Sequence, residues 1–322
     1  MQQTTVKVKC GKPVFKFKFR TLRAIGIVAS LMCGAIFLYN LNLVYVAFHI
    51  RYNIGVYIDM LSANGRVLPM FLVITALAIS IVDICVMFYL GRAFSKTKNK
   101  HINFMLFVIV LVIIGSICFI FFMCILILSH SYSKRQQMHD GIVDAMMNYS
   151  KDSLTKETLD NMQVEYECCG SKNYSDWYDI KWYDANLINT GKFPSLKGEA
   201  PFSCCAIQSV YPCIHHGIEV AADAYLYKKD ANISVSTEGC HTMILKKREA
   251  CGWTLVLRLF GLAFLQTIVL IGMRLVQTGH SERKSFDREE RLYTCWLFGC
   301  YAGKTKSVVP PPVPPLPPEL LE

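Results

Sequence analysis

Long apolar runs and polar stretches alternate along this chain. Four runs, at residues 24–48, 69–90, 102–129 and 253–276, each exceed the ~20 residues a helix needs to cross a hydrocarbon core of ~30 Å. They predict an all-α integral membrane protein with four transmembrane helices, because a soluble protein burying four such helices would need a far larger polar coat. The polar remainder divides into an N-terminal tail (1–23), a small outer loop (49–68), a short link (91–101), a large loop (130–252) and a C-terminal tail (277–322). Within the large loop, residues 130–147 and 154–167 place Ile142, Val143, Met146 and Met147, then Leu159, Met162 and Tyr166, at helical spacing. A further helical run over 239–251 leads into the fourth span. The pattern predicts a stalk of helices rising from the membrane, capped by a variable region.

Composition and charge orient this scheme. The chain is 53% apolar and 18% charged, a balance that suits a membrane protein. Lys7, Lys9, Lys12, Lys16, Lys18, Arg20 and Arg23 precede the first span. Arg92, Lys96, Lys98 and Lys100 crowd the link, and Arg274, Arg283 and Lys284 follow the fourth span. Positive loops stay in the cytoplasm, so both termini are expected there and the large loop outside. Residues 130–251 hold 16 acidic and 13 basic residues, so the net charge of +10 belongs to the cytosolic face. That face should favour anionic lipid, at about 1 kcal/mol per basic residue close to the surface. Every basic cluster abuts a span, so nucleic acid is not an expected partner. The first apolar run begins too late and is too long for a cleavable signal peptide. The expected location is the plasma membrane or an internal membrane derived from it.

Seven cysteines lie in the large loop: Cys168, Cys169, Cys204, Cys205, Cys213, Cys240 and Cys251. The adjacent pair Cys168 and Cys169 cannot easily bond each other, since disulfide geometry needs Cα atoms about 4.4–6.8 Å apart with converging side chains. Each must reach a different partner, so the doublet knots two later loops onto one point. A knot of that kind persists only in an oxidising compartment, which again places a disulfide-tied loop domain outside. His215 and His216 follow Cys213 without Cys-x-x-Cys spacing, so disulfides explain the cysteines better than a metal does. No nucleophile stands with a base and an orienting partner, and there is no phosphate loop. Neither an enzyme nor a cofactor is expected.

Other candidates follow from placement. Asp83 lies about seven residues from the inner end of span two and Gln266 about ten from that of span four, so at ~1.5 Å per residue they sit within roughly 5 Å in depth. Buried polar groups at matched depth read as interhelical glue. Arg258 lies near the outer end of span four and can snorkel to the headgroups. Gly26, Ser30 and Gly34, like Ala76 and Ser80, repeat every four residues and suggest a close helix seam. Asn148, Asn173 and Asn232 begin glycosylation sequons, of which Asn173, just behind the doublet, is expected to stay bare. The aromatic run 176–183 offers Trp177 and Trp182 either as partner contacts or as packing beneath the disulfides. In the C-terminal tail, 292–300 forms a short apolar patch suited to the inner membrane interface. Cys295 and Cys300 there are acylation candidates, and Cys10 and Cys85 are further ones. The final Pro314, Pro315, Leu316 and Pro317 belong to a polyproline stretch suited to an SH3- or WW-type groove.

With Cys168-Cys169-Gly170 on a large loop between spans three and four, the chain resembles the tetraspanin family. It is further similar to the peripherin and rod outer segment membrane protein branch. That likeness rests on Met162-Gln163-Val164-Glu165-Tyr166-Glu167 before the doublet, the 176–182 aromatic run, Pro201-Phe202-Ser203-Cys204-Cys205, Pro212-Cys213, Gly239-Cys240, and Gly272-Met273-Arg274 with Gln277-Thr278. The resemblance implies a scaffold that self-associates, or pairs with a related tetraspanin, to hold bent membrane as at photoreceptor disc rims. The alternative it implies is an adaptor that escorts a receptor, adhesion protein or protease. The family pattern would join Cys168 to Cys240 and leave Cys169, Cys204, Cys205 and Cys213 for two further bonds, with the partner of Cys213 undetermined. The branch also carries an unpaired cysteine ahead of the doublet, whereas residues 146–167 here contain none. Cys251 is then the spare thiol, facing either the helix bundle, which its neighbours Gly252 and Trp253 favour, or a second subunit.

Overall fold

The computed structural model describes residues 5–7, 12–53, 55, 57, 67–94, 100–132, 135–183, 198–219, 227–281, 292–299 and 305–307. Among them, four helices are long and apolar enough to cross a membrane. These are α1 (Phe19–Asn53), α2 (Val67–Ala93), α3 (Lys100–Tyr132) and α7 (Cys240–Ser281). Each overruns its apolar run, because a helix that satisfies its own backbone in lipid need not stop at the hydrocarbon edge. The longest, α7, merges the 239–251 run with the fourth span into 42 residues, about 60 Å at ~1.5 Å per residue. The mostly helical, four-span architecture is the one the apolar pattern predicts. Two compact units divide the chain, Met1–Cys33 with Ile84–Ile114 and Thr267–Glu322, and Gly34–Asp83 with Gly115–Gln266.

The first unit contains strands that the reading of the tails did not anticipate. Strand β2 (Lys12–Lys18) pairs antiparallel with β3 (Leu292–Phe298), with Phe15 opposite Cys295 and Phe17 opposite Tyr293. Strand β1 (Thr5–Lys7) pairs with β4 (Thr305–Ser307). The alternation of Phe15 and Phe17 with Lys16 and Lys18 has the two-residue period of a strand, which a count of basic charge overlooks. The apolar patch 292–298 is therefore a paired strand. Gly26 packs against Phe94 so closely that a Cβ would lie 2.3 Å from the ring, and Gly272 backs onto Ala29 and Ile25.

The second unit holds the large loop. Helices α4 (Arg135–Met147) and α5 (Ser153–Glu165) are joined by a turn, and Asp152 caps α5 by accepting from the amides of Leu154 and Thr155. Their facing side chains, Met138, Ile142, Met146, Leu159 and Met162, form a core with Trp177 and the cystines. Three disulfides are present among the described residues: Cys168–Cys240, Cys169–Cys204 and Cys205–Cys213. Cys204 thus meets the doublet and Cys205 meets Cys213. Two glycines admit the knot. Gly170 adopts φ +66°, where a side chain is strained, and a Cβ there would lie 2.0 Å from the Asn173 carbonyl oxygen. Gly239 comes so near the Lys172 carbonyl that a Cβ would lie 2.2 Å from its oxygen. Lower in this unit, Gln266 Nε2 donates to Asp83 Oδ1 at 2.8 Å, and Asn40 Nδ2 donates to Ser80 Oγ at 3.1 Å. Arg258 donates to Asn42 Oδ1 at 3.1 Å, while Tyr39 donates its hydroxyl to the Arg258 carbonyl at 3.0 Å. Among the described residues Gly34 meets nothing within 4 Å of a Cβ position, so there the repeat of small residues on α1 does not make one continuous seam.

Two predictions follow from this packing. The disulfides close spans of 72, 35 and 8 residues, and the longest loop restricts the unfolded chain most. Replacing both cysteines of Cys168–Cys240 by Ala should cost about 4 kcal/mol, against about 2.5 kcal/mol for Cys205–Cys213. Denaturant titration followed by tryptophan fluorescence will order the two. In the membrane, Gln266→Leu strands a buried carboxyl group, at a cost of about 1–3 kcal/mol. Adding Asp83→Leu should recover part of that loss, with a coupling of about 0.5–2 kcal/mol in a double-mutant cycle.

Candidate interaction surface

The site is built on α5. Asp160 and Gln163 project from it towards the Pro201-Phe202-Ser203-Cys204 turn, where Ser203 Oγ lies 2.6 Å from Asp160 Oδ1 and 2.7 Å from Gln163 Oε1. Tyr149 donates its hydroxyl to the same Asp160 oxygen at 2.6 Å, and Lys156 Nζ donates to Oδ2 at 2.6 Å. Burial, reinforced by the Asp160 carboxylate, pushes the Tyr149 phenol up to about 12, so it stays a donor throughout the physiological range. Together with Cys169–Cys204, this network fixes the backbone of the turn. Ser203 is buried and its neighbour Phe202 points out, 71% exposed.

Beyond the turn, Ala206 N donates to the Ser234 carbonyl and Ser236 N to the Cys204 carbonyl, each at 2.8 Å. Cys205–Cys213 closes the following loop, and Ile214 N donates to Ser234 Oγ at 2.8 Å. A loop this short cannot bury its own side chains. Ile207 and Tyr211 are exposed, and Val210 is 91% exposed. Phe202, Ile207, Val210 and Tyr211 thus form an apolar display on a backbone held by two disulfides, and scattered exposed apolar residues do not normally come so concentrated. The sequence reading missed these four. Their signal was four large apolar residues within ten positions of a cystine-closed turn.

Of the residues singled out from sequence, the six cysteines of the knot come together as described. Of the two roles open to Trp177, contact surface or core, the structure shows core: it is 1% exposed, with its ring edge-on to Tyr149 at 5.2 Å, because a small loop domain has few other large side chains to fill its centre. Trp182 is half-buried against Trp177 and Tyr149. Asn148 donates to the Asp144 carbonyl. Asn173 is exposed and caps the Tyr174–Trp177 turn through its side-chain oxygen, and Asn232 ends the short helix α6 (Lys229–Asn232). Cys251 is half-buried on α7, beside a Gly252 pressed onto Ser131. Cys85 is exposed on α2, whereas Cys295 is buried against Gly279, which makes it a poor acylation target in the folded tail. Cys10, Cys300, Pro314, Pro315, Leu316 and Pro317 lie outside the described residues.

Four spanning helices with a cystine-knotted loop before the last of them define a class of multi-pass membrane protein. The Tetraspanin family model matches residues 20–278, and the chain belongs to the tetraspanin family. It is 26% identical to Rod outer segment membrane protein 1 of Homo sapiens, over 55% of this chain and 60% of that protein. It is 29% identical to Photoreceptor outer segment membrane glycoprotein 2 of Gallus gallus, over 52% of this chain and 51% of that one. Peripherin-2 of Xenopus laevis is 23% identical over 50% of this chain and 51% of its own. The chain thus spans between about half and 60% of the length of these relatives. The family assignment agrees with the non-enzymatic reading of the sequence.

His215 stands at the edge of the display, its ring edge-on to Phe202 at 5.6 Å and tilted over His216 at 4.0 Å. Burial, and then the neighbouring His216, hold its pKa below the ordinary 6.5. The unfolded chain therefore binds a proton that the folded loop refuses, and stability rises with pH across that interval. His215 should support full stability above pH ~6.5 and lose its contribution as pH falls below it. Unfolding titrations at stepped pH should show this loss in the wild type and a smaller one in His215→Gln.

Proposed function

We propose that this tetraspanin is a self-associating membrane scaffold of the peripherin type, which organises or bends the membrane it spans. The observation that carries the reading is the display of Phe202, Ile207, Val210 and Tyr211 on a disulfide-held turn. Rigid, exposed apolar groups suit protein association because little conformational entropy is lost when they dock. The names of the relatives, which belong to membranes of photoreceptor outer segments, support a structural role. The basic clusters at 7–23, 92–100 and 274–284 support a topology with both termini in the cytosol and contact with anionic lipid. In that topology the large loop faces outward with its sequons, and the polyproline tail meets cytosolic SH3- or WW-type domains. The chain resides in the plasma membrane or a membrane derived from it.

The second reading is an adaptor in which the same display grips another membrane protein. The two differ in self-association. In purified form, reconstituted in vesicles, the wild type should form homo-oligomers and deform the vesicles. Phe202→Ser and Val210→Ser should each weaken association about fivefold or more, as for an interface residue worth over ~1 kcal/mol. A monomeric protein in round vesicles would favour the adaptor.

A further inference from the structure

The paired tails make a surface that neither tail has alone. On antiparallel strands, directly opposed residues share a face. The β2–β3 register therefore puts Val14, Lys16 and Lys18 on one face with Leu292, Thr294, Trp296 and Phe298. Trp296 is buried beneath that face, and the residues around it are open: Val14 and Leu292 are each 54% exposed, Phe298 is 74% exposed, and both lysines are exposed. On the opposite face Phe15 is 38% exposed, but the β3 side is occupied. Tyr293 packs on Phe19 at 6.2 Å between ring centres, and Cys295 meets Gly279 and Leu22.

The position of the sheet is fixed from both strands. Lys18 is followed directly by Phe19, the first residue of α1, so β2 has no linker between it and the first span. β3 is pinned to the end of α7. Arg274 donates to the carbonyls of Leu297 at 3.0 Å and Gly299 at 2.9 Å, and Trp296 N donates to Thr278 Oγ1 at 3.2 Å. The first apolar run begins about five residues after β2, or roughly 8 Å along a helix, so the sheet lies at headgroup depth. An exposed face that interleaves lysines with large apolar groups at that depth matches a phosphate layer above acyl chains. A protein partner would have no need of the unlinked continuation into a span.

We infer that the β2–β3 sheet is a docking plate for anionic phospholipid, with Lys16 and Lys18 on the phosphates and Val14, Leu292 and Phe298 seated at the acyl boundary. Assigning it to the cytosolic leaflet rests on the topology proposed above. Pairing is essential, since β2 brings the charge and β3 most of the apolar area.

The protein in nanodiscs tests this by amine labelling and mass spectrometry. Discs of phosphatidylcholine alone are compared with discs holding one quarter phosphatidylserine. Labelling of Lys16 and Lys18 should fall about fivefold in the anionic discs, from about 1 kcal/mol per lysine, and return at high salt, while Lys228 of the large loop is unchanged. Trp296→Pro removes the amide that holds β3 to Thr278 and should abolish the protection although both lysines remain. Equal labelling in both discs would overturn the proposal. So would protection already present in detergent, which would mean that protein covers the face. Vesicle deformation is read separately. Bent vesicles with unprotected lysines would keep the scaffold and remove the plate, and protected lysines on a protein that bends nothing would do the reverse.

Discussion

The large loop depends on two disulfides that leave adjacent residues in different directions. Cys168 ties the end of α5 to the first residue of α7, and Cys169 ties it to the 202–204 turn. For both bonds to form, the chain must reverse at once after the doublet, which is why Gly170 is left-handed and why its missing side chain matters. Cys169 N donating to the Glu238 carbonyl and Cys240 N donating to the Gly170 carbonyl draw the two ends of the loop together around that point. The Asp160–Ser203–Gln163 contacts can then be short because the backbone around them is already held. The apolar display downstream has a firm base for the same reason.

Within the membrane the constraint is different. A polar side chain there must find a partner among its neighbours, since lipid offers none. Gln266 with Asp83 and Asn40 with Ser80 are such pairs, and Arg258 reaches Asn42. They add direction to helices whose exposed side chains are largely apolar, Leu31, Leu38, Ile81, Ile125 and Leu257 among them. Apolar contacts alone would let these helices rotate and slide. The paired polar groups fix depth and facing.

The four spans were legible because a membrane helix announces itself by length and hydropathy alone. Matched depth could also be estimated for Asp83 and Gln266, since it needs only the rise per residue. What sequence left open were matters of direction. Adjacent Cys204 and Cys205 are equivalent in any spacing argument, and only the end of the 202–204 turn, with Cys205 extended after it, sends one to Cys169 and the other to Cys213. Trp177 and Phe202 are both aromatic residues in a loop, yet one fills the core and the other faces solvent. The sheet of the tails was hidden for another reason. Its strands lie at opposite ends of the sequence, so neither the alternation at Phe15 and Phe17 nor the apolar patch 292–298 shows by itself that the two pair.

That separation has a consequence in time. Phe15 and Cys295 are opposed in the sheet although about 280 residues of chain lie between them. At ~5–20 residues per second, β2 leaves the ribosome roughly a quarter of a minute to a minute before β3 exists. During that interval its phenylalanines and lysines have no strand to pair with, while the spans are threaded one after another. The sheet can close only once the fourth span is in place and the chain after it has been made. Closure of the tails therefore follows the threading of all four spans, and a closed sheet marks a molecule in which that threading has taken place.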